Sequence, residues 1–210
     1  QSLDTSFIEN IKIVNAKYFH EKSGSSIELN YKIYGNGILK IKQTLYPSGA
    51  ENPELPRFGM KVSVNETFDN LEWFGRGPHE SYWDRKTSAK IDRYKGKVID
   101  QTYKYVRPQE TGNKTDIRWL ALYNGSIGLM IKGLPVFDGS VHHYDYALLD
   151  YYKGSQRHGK TDITKGDQID LIVDYKQMGV GGDNSWGAKP HFRYTLPMDT
   201  TVYNLSLIHI

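Results

Sequence analysis

The sequence predicts an all-β fold, a large antiparallel two-sheet sandwich formed by residues 1–210 as a single domain. Three observations predict it. Apolar side chains recur at every second position over most of the chain, short Gly-, Asn- and Pro-bearing segments punctuate those runs, and helical periodicity is missing outside one segment. About a dozen alternating runs with no Ser/Gly/Pro-rich linker and no internal repeat favour one large sandwich over two small domains.

The elements follow in order. Ile11–His20 reads as a strand. Ile27, Leu29, Tyr31 and Ile33 alternate with polar residues, Gly35-Asn36-Gly37 follows, and Leu39, Ile41, Gln43 and Leu45 then alternate with Lys40, Lys42 and Thr44. Two alternating runs about an Asn-Gly pair are a strong hairpin signal. Further strands are expected at Met60–Phe68, Leu71–Phe74, Lys97–Tyr105, Asp116–Tyr123, Ile127–Lys132, Ser140–Tyr144, Gln168–Lys176, His191–Leu196 and Val202–Ile210. Turns are expected at Pro47-Ser48-Gly49, Asn124-Gly125, Gly133-Leu134-Pro135 and Lys165-Gly166-Asp167. Tyr144–Lys153 departs from the pattern and suits a turn or two of helix with Leu148 and Leu149 inward.

Composition excludes several classes. The absence of cysteine removes a disulfide-stapled scaffold, a zinc–cysteine module and a cysteine nucleophile. With 27 Lys+Arg against 24 Asp+Glu, the net charge of +3 and the lack of a basic run leave no footprint for nucleic acid. No stretch approaches the roughly 20 apolar residues of a membrane-spanning helix. The chain opens on Gln1 without a charged-then-apolar leader, which predicts a processed protein or a piece of a longer one, and leaves cytoplasm and periplasm both open.

Three loops carry the residues with chemical potential. Gly179–Gly187 (GVGGDNSWG) sets three closely spaced glycines before Asp183, Asn184, Ser185 and Trp186. Glycines allow backbone torsions closed to other residues, so this is a shaped loop. A phosphate loop would need a Lys-Ser/Thr and a following helix, both absent. A Trp on a polar loop suits sugar recognition, its flat face against pyranose C–H groups and its N–H free to donate; a Trp plugging the core beneath the loop suits the same residues equally. In Leu71–Arg85, His79 and Glu80 have acid and base chemistry and Arg85 can clamp a ligand. Mutual neutralisation among Arg76, Glu80, Asp84 and Arg85 is the better reading there, because neighbours in sequence seldom aim at one atom. In Tyr105–Trp119, Glu110, Asn113 and Arg118 suit either a sugar or loop-closing ion pairs. His142 and His143 are adjacent and should face opposite ways, and His158 has no ligand-spaced partner, so neither a metal nor a cofactor is expected. There is no G-x-S-x-G elbow, and carboxylate pairs for glycoside hydrolysis cannot be read from spacing in a β-rich chain.

The same loops carry a resemblance. WFGRGPHESYWDRKTSA (Trp73–Ala89), YVRPQETGNKTDIRW (Tyr105–Trp119), MGVGGDNSWG (Met178–Gly187) and the entry Leu55-Pro56-Arg57-Phe58-Gly59 resemble the C-terminal small-chain domain of family-2 glycoside hydrolases of the β-galactosidase type. The likeness runs in order from about Ser25 to about Tyr203; residues 1–24 and Leu205–Ile210 match only in being strand-like. It implies a supersandwich related to galactose mutarotase-like domains, placed last in a multidomain enzyme. It also implies that the catalytic glutamates lie in a central (β/α)₈ barrel of the same enzyme, the expected partner, so that this chain has no catalytic residue and is inactive alone. The family's G-G-D-D-S-W tryptophan packs against the sugar, a role that falls on Trp186. Asp183 and Ser185 match that pattern, and Asn184 replaces its second Asp. No catalytic role passes to His79, Glu80, Arg85, Glu110, Asn113 or Arg118. The expected ligand is a β-galactoside or related sugar. Three alternatives remain beside it: a stand-alone carbohydrate-binding module; an aldose mutarotase or epimerase using His79, His142 or His143 with Glu110; and a structural domain for homo-oligomer assembly.

Overall fold

A computed structural model describes residues 1–48, 54–105, 109–149 and 164–210 of the chain. Eleven antiparallel strands run through them: β1 (Ser2–Ile8), β2 (Ile11–His20), β3 (Ser25–Tyr34), β4 (Ile38–Tyr46), β5 (Arg57–Asn65), β6 (Asn70–Gly77), β7 (Lys90–Lys97), β8 (Lys114–Tyr123), β9 (Gly128–His142), β10 (Gln168–Gln177) and β11 (Thr201–His209). They are hydrogen-bonded in the order β1-β2-β3-β4-β11-β9-β8-β6-β7, and a two-stranded arm, β10 with β5, branches from β9.

The branch is what makes two layers. Along β9, Leu129–Leu134 pair with β11, whereas Asp138–His142 pair with β10. The arm thereby lies over the inner face of β4, β11, β9 and β8. Ile169, Leu171 and Val173, alternate residues of β10, share one core cluster with Ile41, Leu45, Ile131 and Leu205. Burial of each such side chain stabilises the fold by about 1.5–3 kcal/mol relative to exposure. The β3–β4 hairpin forms about the predicted turn, with Gly37 at φ +84° in the left-handed region that glycine tolerates.

Several expectations need correction. The strand expected at Lys97–Tyr105 lies one element earlier, as β7, and Val98–Gln101 form a 3₁₀ turn. β7 (KIDRYKGK) is a largely exposed edge strand with little apolar alternation, while Val98 is fully buried and its amide bonds Asp69 O at 2.9 Å. Gly133-Leu134-Pro135 is not a turn: the strands expected at Ile127–Lys132 and Ser140–Tyr144 are joined as the one 15-residue strand β9, Gly128–His142. Gly133 and Leu134 still pair with Leu205 and Asn204, so the strand changes partner there instead of reversing. In place of the strand at His191–Leu196 stands a 3₁₀ turn, Phe192–Tyr194; Thr195 returns both its amide and its hydroxyl to Phe192 O, at 3.0 and 2.8 Å, and only Leu196 bridges, to Leu55. Periodicity does not single out β1, which is exposed along its whole length. The helical expectation at Tyr144–Lys153 is met in part by a 3₁₀ turn at Tyr146–Leu149; residues 150–153 of it, Gly49 of the expected Pro47-Ser48-Gly49 turn, residues 106–108 of the second motif loop, and His158 lie outside the described residues.

Candidate functional site

The polar loops meet at one end of the sandwich, where β6 leads into Gly77–Arg85, the chain re-enters the sheet through Gln109–Asn113, and β10 leads into Met178–Tyr194. Between them is a cleft of about 490 Å³ lined by Tyr82, Arg85, Glu110, Asp183, His191 and Arg193, among others.

Glu80 organises the first side. Its carboxylate accepts bonds from Arg85 (2.6 Å), the Gly112 amide (2.8 Å), Thr111 Oγ1 (3.3 Å) and the Tyr105 hydroxyl. Burial alone pushes this carboxyl up, but the bonds from Tyr105, Gly112 and Arg85 outweigh burial and hold it below its ordinary value. Arg85 also lies 5.0 Å over the Tyr82 ring. His79 bonds Glu80 O at 2.7 Å and stays exposed, outside the cleft lining. Asn113 is fully buried and ties Ser81 O at 2.9 Å, a scaffold contact. Arg118 donates to Asp116 O and stacks 5.6 Å from the Phe74 ring, on the strand instead of in the cleft. Asp116, at φ +54° in a bulge of β8, is claimed by Arg76 (2.6 Å) and Lys86 (3.0 Å).

Glu110 belongs to an interior ion cluster. Arg57 lies 3.5 Å from Glu110 and 3.0 Å from Asp174, and the Tyr146 hydroxyl donates to Glu110. Burial raises the Glu110 carboxyl despite Arg57, and pushes Asp174 up to about 7. His142 is fully buried; its Nδ1 pairs with the Tyr144 hydroxyl at 2.8 Å, and burial pushes its pKa down to about 3. Tyr146 touches both groups, bonding Glu110 and packing 5.7 Å from the His142 ring. Tyr146 thus stands between Glu110 and His142, which disfavours that pair as the acid and base of an epimerase.

The other wall of the cleft differs in kind. Asp183, Asn184, Ser185 and Trp186 are all exposed, and the Trp186 ring is 93% exposed. Beneath them the loop is held. Asp84 accepts the Gly181 amide at 2.7 Å, Asn184 Oδ1 accepts the Trp186 amide at 2.8 Å in an Asx turn, and Asp183 pairs with His191 at 2.7 Å. Asn184 therefore acts as an acceptor, a task for which it and Asp are equivalent. A Cβ on Gly182 would sit 2.0 Å from Ala188 O, and one on Gly179 2.7 Å from the Asp84 carboxylate, so close approach explains both glycines. The structure thus brings Arg85, Glu110 and Asp183 to one cleft with Trp186 on its flanking loop, and leaves His79, Asn113 and Arg118 outside it. Sequence reasoning missed His191, Arg193 and the ligand-like role of Asp84 toward Gly181. A glycine run with free amides demands an acceptor from elsewhere, which is the signal that points to Asp84; nothing local marks His191.

The family model described as β-galactosidase small chain matches residues 2–207. The chain belongs to the β-galactosidase small-chain family. The β-galactosidase of Priestia megaterium is 44% identical to it over 185 residues, 88% of this chain and 17% of that protein. The β-galactosidase of Halalkalibacterium halodurans is 30% identical over 192 residues, 90% of this chain and 18% of that protein. The small chain thus spans less than a fifth of the length of these relatives. Among solved structures, galactose 1-epimerase from Lactobacillus acidophilus superposes with a TM-score of 0.52 at 9% identity, over 99% of this chain and 65% of that one. That likeness is one of fold, and it establishes the galactose mutarotase-like sandwich.

Proposed function

We propose that this small chain is a non-catalytic C-terminal domain of a β-galactosidase, and that Trp186 closes one wall of a galactoside pocket whose acid/base and nucleophilic groups reside in the rest of that enzyme. The observation that carries the reading is the exposure of the Trp186 ring on a loop whose backbone is pinned by Asp84, Asn184 and the Asp183–His191 pair. A large apolar ring held in solvent by an ordered loop has no role in the stability of this domain. It is placed to be covered by something else.

The physical contribution is orientation. An indole face against the C–H face of galactose adds about 0.5–1.5 kcal/mol beyond burial, and a pinned loop keeps the ring from sampling other positions before substrate arrives. Asp183 and Ser185 stand beside the ring as donors or acceptors for sugar hydroxyls. The cleft groups Arg85 and Glu110 are engaged with protein partners and serve the loop scaffold.

The test uses the complete enzyme. Trp186→Ala should raise KM for a chromogenic galactoside about tenfold or more, with Trp186→Phe recovering part of the loss and the melting temperature unchanged. Wild-type kinetics in Trp186→Ala contradict the role. The small chain alone should show no turnover.

A further inference from the structure

A second surface of the domain carries its own evidence of a missing cover. By strand register Leu3, Ala16, Leu29 and Gln43 lie in one row across β1–β4, and the rows two and four residues away bring Tyr31 and Ile41, Phe7 and Leu39 onto the same face. At β4 this face is core: Ile41 is only 4% exposed, under the β5–β10 arm. At β1 the same face stands open, with Leu3 68% and Phe7 72% exposed. The opposite face is more mixed: Lys17 pairs with Glu28 at 3.0 Å and Asn30 with Asn15 at 2.6 Å, beside Ile8, Ile13 and Phe19. An apolar sheet face packs on something; here Ala16, Ile27, Leu29 and Tyr31 still meet the core, and the internal cover stops short of β1, leaving Leu3 and Phe7 open. Where it stops, a groove of about 830 Å³ opens, with Tyr18 and Ile27 on the sheet side and Phe58 and Met60 on the arm side.

We infer that the open inner face of β1 and this groove form a docking surface for the remaining part of the same β-galactosidase polypeptide. The inference rests on the reading above that the chain works as one domain of a larger enzyme, and it adds a second contact distinct from Trp186. Two observations select this occupant. In the Priestia megaterium β-galactosidase the matched region is 17% of the protein, so more than four-fifths of that polypeptide lies outside it. The groove also includes Leu55 and Met198, and the Leu55–Leu196 bridge closes the base of the loop that presents Trp186. A body seated in the groove therefore lies beside that loop. The apolar face provides adhesion, and the Trp186 loop needs only to orient.

Hydroxyl-radical footprinting of the complete enzyme tests this without any substitution. Phe7 and Tyr18 should be oxidised about tenfold more slowly than in the urea-unfolded enzyme; rates matching their exposure in the isolated domain overturn the proposal. In the complete enzyme, Leu3→Asp/Phe7→Asp should hasten proteolytic release of the small-chain domain about tenfold, whereas Asn15→Asp/Asn30→Asp on the opposite face should leave it unchanged. Unaltered release in the first variant contradicts the proposal. So does dissociation of an oligomer with protomers still resistant, which would assign the face to a second copy. Trp186→Ala should leave both footprint and proteolysis at wild-type values, so loss of its kinetic effect would sink the pocket role alone, and loss of protection would sink the docking surface alone.

Discussion

The two walls of the cleft are built from the same kinds of residue and are in opposite states. On the Gly77–Arg85 side, the Glu80 carboxylate answers Arg85, Tyr105, Thr111 and the Gly112 amide. On the Met178–Tyr194 side, Asp84 and Asn184 hold the backbone, and the Trp186 ring is left to solvent. A polar, aromatic loop is thus not a binding loop by composition. What separates the two walls is whether the large side chain at the loop's tip has partners within the domain, as Glu80 does, or stands open, as Trp186 does. Substitutions should accordingly divide into those that cost stability on the first wall and those that cost function on the second.

The largest stability effect should come from Glu80→Ala. It leaves the Gly112 amide and Arg85 without their acceptor, and hydrogen bonds to a charged, half-buried group contribute on the order of 2–3 kcal/mol in total. Denaturant titration measures it. The sign of the pH dependence follows from the depressed carboxyl: the contribution is complete above the ordinary glutamate value of 4.5 and is lost as pH falls through the lower folded value. The gap between wild type and Glu80→Gln should therefore narrow below pH 4.5. A gap that widens on acidification contradicts the network.

Next is Gly182→Ala, whose methyl meets the Ala188 carbonyl oxygen at 2.0 Å and forces the loop to move. The core stays intact, so the loss should appear mainly as a KM effect approaching that of Trp186→Ala in the complete enzyme. Gly181→Ala, with only the Asp84 carboxylate at 3.4 Å, should be mild by comparison. Equal effects of the two alanines would break the account of the loop. Asp84→Ala follows, removing the acceptor of the Gly181 amide at a cost of about 1–2 kcal/mol in local loop stability. Faster amide exchange at Gly181 with little change in the global transition is the expected readout. Smallest in stability should be Trp186→Ala, within about 0.5 kcal/mol, as for other surface positions.

The comparison also marks how far sequence reasoning reaches. The period-two pattern locates β2, β3, β4, β5, β6, β8, β10 and β11, most clearly where alternate residues turn inward, as Leu71 and Trp73 do in β6. It missed β1 and β7, which lie at the two edges and bury almost nothing, and it divided β9 at Pro135, where the strand changes neighbours without reversing. The glycine run revealed a shaped loop, and the residue types suggested sugar. Whether Trp186 faced inward or outward was open, since both outcomes use the same residues; exposure decides it. Glu80 and Glu110 were indistinguishable as candidates, because their partners Gly112, Arg57 and Tyr146 come together only through the fold.

The central claim is that the Trp186 ring meets the sugar. In ¹⁹F NMR of the complete enzyme labelled with 5-fluorotryptophan, single Trp→Phe substitutions assign the signals of Trp73, Trp83, Trp119 and Trp186. Saturating galactose should shift that resonance while those of Trp73, Trp83 and Trp119 stay in place; a resonance from position 186 that is unmoved by bound galactose would contradict the account.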